Sequence, residues 1–388
     1  MTSYYQESES NHKIDVFYLV ASPNSLNLFG FPQIKALRVS GFKVHAICGL
    51  GAIDPRLRIE CDSISIIRHL NRGFSLINDL ISILLITKLA LKTRPQIFIF
   101  STPKAALLGS VVSRLLNIEI RIYQIWGSRW QNLKGIQRFI VKNADKLTIK
   151  LSTHVTAVSK SVAQFYKNRF PATQFTVLGN GSTIGIDGQV FKISSGSNNK
   201  KMVTKLGYAG RVSNDKGIFD LFDLFTRLSI QRSDLYLEII GDLDLEDKIP
   251  EKLIMDLRSH PRIEWVSSLS QLELAERMRN WDLQIFLSKR EGLGNVILEA
   301  GACGVPTFCW NIMGIKDAIP DFAQNFLISY GDMELLQKSV NNYLNSTLEQ
   351  TGKLKLAQWY LDNFEQKRVL SKFVEFINSN LKANYDSK

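Results

Sequence analysis

Short apolar runs alternate with stretches of helical period along the whole chain. In the first half Ile14 to Ala21, Lys43 to Cys48, Ser63 to Ile67, Gln96 to Ser101, Glu119 to Ile125 and Val155 to Val158 read as strands. A helix over Leu28 to Val39 follows the loop Ser22 to Ser25, and further helices separate the later strands. Such alternation implies a parallel sheet covered on both faces. The pattern breaks at Phe191 to Lys201, a polar stretch that reads as an interdomain linker. It then restarts, with Lys205 to Tyr208 and Leu235 to Ile240 as strands and Gly217 to Ser229 as a helix. Ser270 and Glu273 form a capping box opening a helix to Asn280, and beyond Gly331 only helices are expected.

The stretch from Asp282 to Trp310 organises the second half. An apolar strand, Leu283 to Leu287, runs into the loop Ser288-Lys289-Arg290-Glu291-Gly292-Leu293-Gly294. A helix then opens with Asn295 as the expected N-cap and stops at Gly304 and Pro306 before a second strand. Unpaired N–H groups from Gly292 to Val296 would converge at the positive end of that helix, which suits a phosphate. Glu291 and Glu299 lie eight positions apart, one on the loop and one inside the helix. Both could be ordinary solvated carboxylates; as a pair flanking a phosphate site they suit the hydroxyls of a sugar at each end of a diphosphate.

A second constellation, Gly210-Arg211-Val212-Ser213-Asn214-Asp215-Lys216-Gly217, follows the Lys205 to Tyr208 strand. A guanidinium and an ammonium five residues apart can grip one diphosphate from two directions. By itself the segment reads equally as a solvated basic loop pairing with Asp215.

Charge adds a partner to the picture. The formal net charge is +12, yet residues 1 to 190 hold 23 Lys and Arg against 10 Asp and Glu, whereas the remainder holds 25 against 26. An excess confined to one half points to an anionic partner there, a membrane surface or nucleic acid. Lys134, Arg138, Lys142, Lys146 and Lys150 recur every four residues beside Leu133, Ile136, Phe139 and Ile140, as on a helix that could face anionic headgroups. No interleaving of aromatic and basic residues marks a nucleic-acid site. The apolar stretch Phe74 to Leu91 is interrupted by Asn78, Asp79 and Lys88 and reads as a buried or interfacial helix rather than a membrane span. Met1 to Asn11 is polar and acidic, unlike a signal peptide. Cys48, Cys61, Cys303 and Cys309 lack metal-ligand spacing and read as buried thiols, while His12, His45, His69, His154 and His260 are scattered, so no metal is expected. No Gly-x-Gly-x-x-Gly follows the first strand, which argues against a dehydrogenase.

Together these motifs resemble the retaining glycosyltransferases with the GT-B fold, glycosyltransferase family 4 in particular. Glu291-Gly292-Leu293-Gly294, an apolar run, Glu299-Ala300 and Gly304-Val305-Pro306 follow that family's Glu, seven residues, Glu motif; Arg211 and Lys216 match its diphosphate pair. Ser101-Thr102-Pro103-Lys104-Ala105-Ala106-Leu107-Leu108-Gly109 and the Val177 to Asp187 loop are similar to segments of bacterial capsule, O-antigen and lipid-linked oligosaccharide enzymes. The resemblance implies two doubly wound Rossmann-like domains facing a cleft: residues 1–190 for the acceptor, joined by about 365–388 crossing back, and residues 202–364 for the donor, with 191–201 between. It implies Arg211, Lys216 and Gly292, Leu293, Gly294 and Asn295 on the diphosphate, Glu299 on the ribose and Glu291 on the donor sugar, with no metal ion or other cofactor. It further implies a UDP-sugar donor, often an N-acetylated hexosamine, and an undecaprenyl diphosphate glycan acceptor at the inner face of the cytoplasmic membrane, with no nucleic acid. Asn180 belongs to the crevice loop. Trp126 stands where relatives often carry His before Gly, and can stack on a sugar, donate one hydrogen bond or fill a wall. Phe31-Pro32-Gln33 replaces their Lys-Gly before Gln, removing an N–H from the first loop. The rival expectations are a nucleotide-sugar epimerase, a catalytically silent UDP-binding subunit and a general α/β ligand-binding protein.

Overall fold

The computed structural model describes residues 14–71, 73, 75–131, 133–193, 203–346 and 350–386. The N-terminal stretch read as no signal peptide and most of the predicted linker lie outside these residues. The described residues contain twelve strands: β1 Asp15–Leu19, β2 Lys43–Cys48, β3 Ser63–Ile66, β4 Ile97–Ser101, β5 Ile120–Ile125, β6 His154–Ala157, β7 Thr204–Ala209, β8 Leu235–Ile240, β9 Ile263–Val266, β10 Leu283–Phe286, β11 Thr307–Trp310 and β12 Leu327–Ile328. They form a sheet of order β3-β2-β1-β4-β5-β6 and another of order β12-β11-β10-β7-β8-β9. Every pairing within them is parallel, with registers such as Phe17↔His45 and Leu206↔Leu237. Each sheet starts in its middle and winds outward in both directions, the doubly wound arrangement expected from the alternation.

The chain divides into two compact units, residues 1–157, 166–178 and 370–388 in one, 158–165 and 179–369 in the other. The division therefore precedes the expected boundary at 190. Residues 179–190 go with the second unit because Ile186 donates its N–H to the Phe364 carbonyl (2.7 Å) and Gln366 donates back to Ile186 (2.8 Å). Phe191, the first residue of the expected linker, is buried. Residues 370–388 of the last helix, Gln366–Asp386, group with the first unit, where Phe373, Ile377 and Leu381 pack with Val16, Tyr18, Val44 and Ile99.

Local differences from the expected elements have local causes. The first helical segment starts at Pro23, passes through a π-helical turn at Leu26–Gly30 and continues as Phe31–Val39, the wide turn falling just before Pro32, which has no N–H to donate into the preceding turn. Strand β9 and the helix Glu251–Ser259 went unpredicted, because neither carries a long run or a distinctive cap. The helix Leu76–Thr93 buries only Ser82, Ile86 and Ala90, which rules out the buried alternative for that stretch.

Buried Asp145 organises the first unit's packing. It accepts from Tyr123 Oη (2.8 Å), Trp130 Nε1 (2.7 Å) and Tyr166 Oη (2.5 Å). Burial pushes its carboxyl pKa up, and the three donors oppose that rise. Asp145→Leu would leave those donors without their acceptor, a destabilisation on the order of 3–5 kcal/mol. Urea unfolding of the variant is expected to show a large fall in midpoint; an unchanged midpoint would mean the network carries no stability.

Candidate active site

Strands β7 and β10 are neighbours, with Leu206 opposite Leu283. The loop after β7 leads into the helix Ile218–Gln231 and on toward β8, while the loop after β10 leads into the helix Asn295–Ala302 and on toward β11 on the other side. This reversal of winding opens a crevice at the carboxyl ends of the strands, where open α/β sheets bind ligands. Both chemical loops singled out in the sequence lie there.

They are laced together. The backbone oxygen of Asp215 accepts from Lys289 N (2.8 Å) and Ser288 Oγ (3.2 Å). Gly217 has φ +79°, and a Cβ there would come within 2.0 Å of the Leu287 oxygen, so only glycine permits this approach. Tyr208 Oη donates to the Arg211 carbonyl (2.6 Å) and pins that turn from below.

This packing brings Lys216 onto Glu291: its ammonium donates directly to Glu291 Oε1 and lies 5.8 Å above the Phe286 ring. Both side chains are largely buried, which makes the pair worth more than a surface ion pair. Arg211 is half exposed and is held by Asp244 and, at 3.6 Å, by Asp215. Asp215 also meets Arg290 at 3.5 Å and Ser213 Oγ at 2.5 Å. Burial pushes the Asp215 carboxyl up, but the Ser213 hydroxyl and the cations Arg211, Lys216 and Arg290 outweigh it and hold the carboxyl below its ordinary range. The pairing of the basic loop with Asp215 is thus present, alongside the contact of Lys216 with Glu291.

At the helix mouth, Gly294 rather than Asn295 is the N-cap, at φ +84°, and Asn295 is the first helical residue. Two glycines in the loop let the backbone enter the left-handed region one residue before the expected cap. None of the N–H groups from Gly292 to Val296 finds a backbone acceptor among the described residues, leaving a cradle of donors at the positive helix end. Leu293 is buried beneath it. Glu299 lies in the helix with no hydrogen-bond partner for its carboxylate among the described residues, and desolvation pushes its pKa up to about 7. A desolvated carboxylate without donors is prepared to accept hydroxyls from a ligand.

The remaining expected residues have surroundings of their own. Trp126 belongs to the first unit, against Phe29 (ring centroids 5.1 Å apart), with its Nε1 buried and unpartnered. Asn180 belongs to the second unit and donates to Asn363 Oδ1 (2.7 Å). Sequence reasoning missed Asp244, Arg290 and Tyr208, since no spacing rule links Asp244 to Arg211 across 33 residues. The four cysteines are free and buried, and no metal-holding cluster of His, Cys, Asp or Glu occurs among the described residues.

Residues 190–356 match the family model described as glycosyl transferases group 1, and residues 17–159 that described as glycosyl transferase 4-like. The chain is 28% identical over 338 residues to the capsular polysaccharide biosynthesis glycosyltransferase CapM of Staphylococcus aureus, spanning 85% of this chain and 87% of that protein. HepE of Anabaena, solved in complex with UDP and glucose, has the same fold at TM-score 0.73 and 17% identity, over 95% of this chain and 100% of that one. Sucrose-phosphate synthase from Thermosynechococcus elongatus does so at TM-score 0.75 and 15% identity, over 96% and 100%. With a glycosyltransferase model on each half and the GT-B arrangement of two doubly wound sheets, the chain belongs to the GT-B glycosyltransferases of the family 4 type.

Proposed function

We propose that the protein moves a hexosyl residue, an N-acetylated hexosamine in the first instance, from a UDP-sugar to a glycan on undecaprenyl diphosphate, with retention at the anomeric carbon. The observation that carries this reading is the meeting of Lys216 with Glu291 beside the unpaired N–H groups of Gly292 to Val296. The leaving diphosphate settles on the helix mouth, with Lys216 and Arg211 neutralising its growing charge. Glu291 orients the donor sugar and Glu299 accepts the ribose hydroxyls. The acceptor oxygen attacks C1 on the face from which the diphosphate departs; the C1–O bond to phosphate breaks, and the acceptor proton passes to a diphosphate oxygen. No metal ion is required, because the two cations and the helix dipole supply the positive charge. UDP is favoured as the carrier because HepE, which shares the fold, is solved with UDP and with UDP-glucose.

The test is a panel of UDP-, GDP- and dTDP-sugars with lipid extract from the producing cell, following label into the lipid fraction. Transfer from a UDP-sugar with retained configuration is expected. Donor turnover without acceptor would mark an epimerase, and UDP binding with no transfer a silent subunit; either would overturn the reading.

A lipid acceptor asks for a membrane-facing surface, and the first unit offers one. The helices Leu76–Thr93, Pro103–Leu115 and Gly135–Leu151 make the crossovers β3 to β4, β4 to β5 and β5 to β6, all in one direction across the sheet, so right-handed connection puts them on one face. Along the first, Ile77, Leu80, Leu84 and Leu91 stand exposed in a stripe with Lys88. Along the last, Ile136, Phe139 and Ile140 stand exposed beside Arg138, Lys142 and Lys146. The acidic groups of these two helices are committed, Asp79 to Lys104 (2.5 Å) and Asp145 to its buried network. Apolar and cationic surface with no free carboxylate matches an anionic bilayer, each cation contributing about 1 kcal/mol. No helix among the described residues is long and apolar enough to cross a membrane, so the association would be peripheral. Sedimentation with phosphatidylglycerol vesicles is expected for the wild type, falling at least about tenfold in Leu80→Ser/Leu84→Ser while UDP affinity holds. Equal binding to phosphatidylcholine would remove the electrostatic basis.

A further inference from the structure

The backbone of the Glu291 loop rests on Gly314. That residue has φ +87°, and a Cβ added to it would come within 2.6 Å of both the Glu291 and the Gly292 carbonyl oxygens. The backbone of Gly314 is therefore the floor on which the Glu291 peptide sits. Gly314 is itself held: its N–H donates to Ser161 Oγ at 2.7 Å. Ser161 is buried, and its hydroxyl donates to Asp317 Oδ2 at 2.5 Å while its own N–H donates to the same oxygen at 2.8 Å. Ser161 lies in the first turn of the helix Lys160–Lys167 and Asp317 in the short helix Ile315–Ala318 directly after Gly314, all within the second unit. The helix N–H that would otherwise need an acceptor is satisfied by the Asp317 carboxylate.

We propose that Ser161 and Asp317 are positioning residues that set the height of Glu291 relative to the diphosphate site, acting through Gly314. The inference rests on the donor-site reading above and deepens it. Each hydrogen bond in the chain has one continuation. The Asp317 carboxylate fixes the rotamer of Ser161, the Ser161 oxygen fixes the Gly314 peptide, and Gly314 fixes the Glu291–Gly292 peptide in van der Waals contact. Neither Ser161 nor Asp317 reaches Lys216 or the helix mouth in any hydrogen bond of this network. Loss of the clamp should therefore misplace the sugar-orienting carboxylate more than the nucleotide contacts, of which the Gly292 N–H alone belongs to the clamped peptide. Displacements of an ångström at such a group lower turnover on the order of a hundredfold, more than they weaken ground-state binding.

Two variants break the clamp differently. Ser161→Ala removes the acceptor for Gly314, whereas Asp317→Asn keeps an oxygen that can accept both Ser161 donors. Ser161→Ala is expected to lower kcat at least about tenfold with a smaller, few-fold loss of UDP affinity, and Asp317→Asn to retain most of the activity. Hydrogen exchange across residues 288–296 is expected to quicken in Ser161→Ala only. In a cycle with Glu291→Gln, adding Ser161→Ala should cost nothing further, because its effect passes through Glu291. Unchanged exchange at 288–296 overturns the clamp whatever the activity. Quickened exchange with wild-type kcat, or additive losses in the cycle, overturns its role in turnover. Quickened exchange in a protein whose wild type transfers no sugar supports the clamp and strikes the glycosyl-transfer reading alone.

Discussion

Lys216→Ala lowers kcat/KM by on the order of a thousandfold, the largest loss expected of any substitution in the site. Removing one preorganised charge from a developing oxyanion raises the barrier by roughly 3–4 kcal/mol, and Lys216 is the largely buried cation of the pair. The substitution also strands Glu291, whose carboxylate loses the ammonium it contacts. Arg211→Ala has a smaller effect, about tenfold, because that guanidinium is half exposed and divided between Asp244 and Asp215. Lys216→Arg does not restore the wild type: a planar fork spreads over several nitrogens the charge that the ammonium places as a point on Glu291. Steady-state kinetics on the three variants settle the order. A Lys216→Ala enzyme within threefold of wild type would remove the ammonium from the mechanism.

Glu299 gives the pH dependence. Its carboxyl is raised from the ordinary 4.5 to about 7 by desolvation, with no donor to offset it. In the proposed role, ribose hydroxyls donating into it favour the ionised form, so UDP is expected to bind with release of a proton and with affinity rising as pH climbs through about 7. Calorimetric titrations from pH 6 to pH 8 should show that rise in the wild type and a flat profile in Glu299→Gln, with affinity at high pH lower by about tenfold or more. For folding the sign is opposite. The free protein holds a proton that the unfolded chain has released, so stability falls with rising pH between 4.5 and about 7, and Glu299→Gln abolishes the fall. A flat wild-type binding profile would place the ribose elsewhere.

Much of this was legible along the chain. The strands β2 and β8 have the predicted bounds, and the Ser270 capping box is present with both of its hydrogen bonds. These features are local, since period, caps and turn residues act over one or two turns of backbone. The Asn295 cap was misread by one residue because a glycine in the left-handed region competes with a side-chain cap and leaves no mark beyond its own identity. The helix Leu76–Thr93 shows the other limit. Its periodicity marks an apolar face, yet its neighbours, rather than its own residues, decide which face is covered.

What the sequence by itself determined is the order of strands and helices, the two basic and glycine-rich loops, the paired glutamates and the confinement of excess positive charge to the first half. Tertiary structure alone decided that the loops after β7 and β10 meet at the reversal of winding, that Lys216 touches Glu291 across 75 residues, and that Asp317 reaches Ser161 across 156. It also decided that the half-buried Glu299 carboxyl is pushed up to about 7 by desolvation. The reason is common to all of these. Backbone propensity and hydrophobic period are properties of neighbours in the chain, whereas desolvation, ion pairing and van der Waals support exist only once remote segments are packed together.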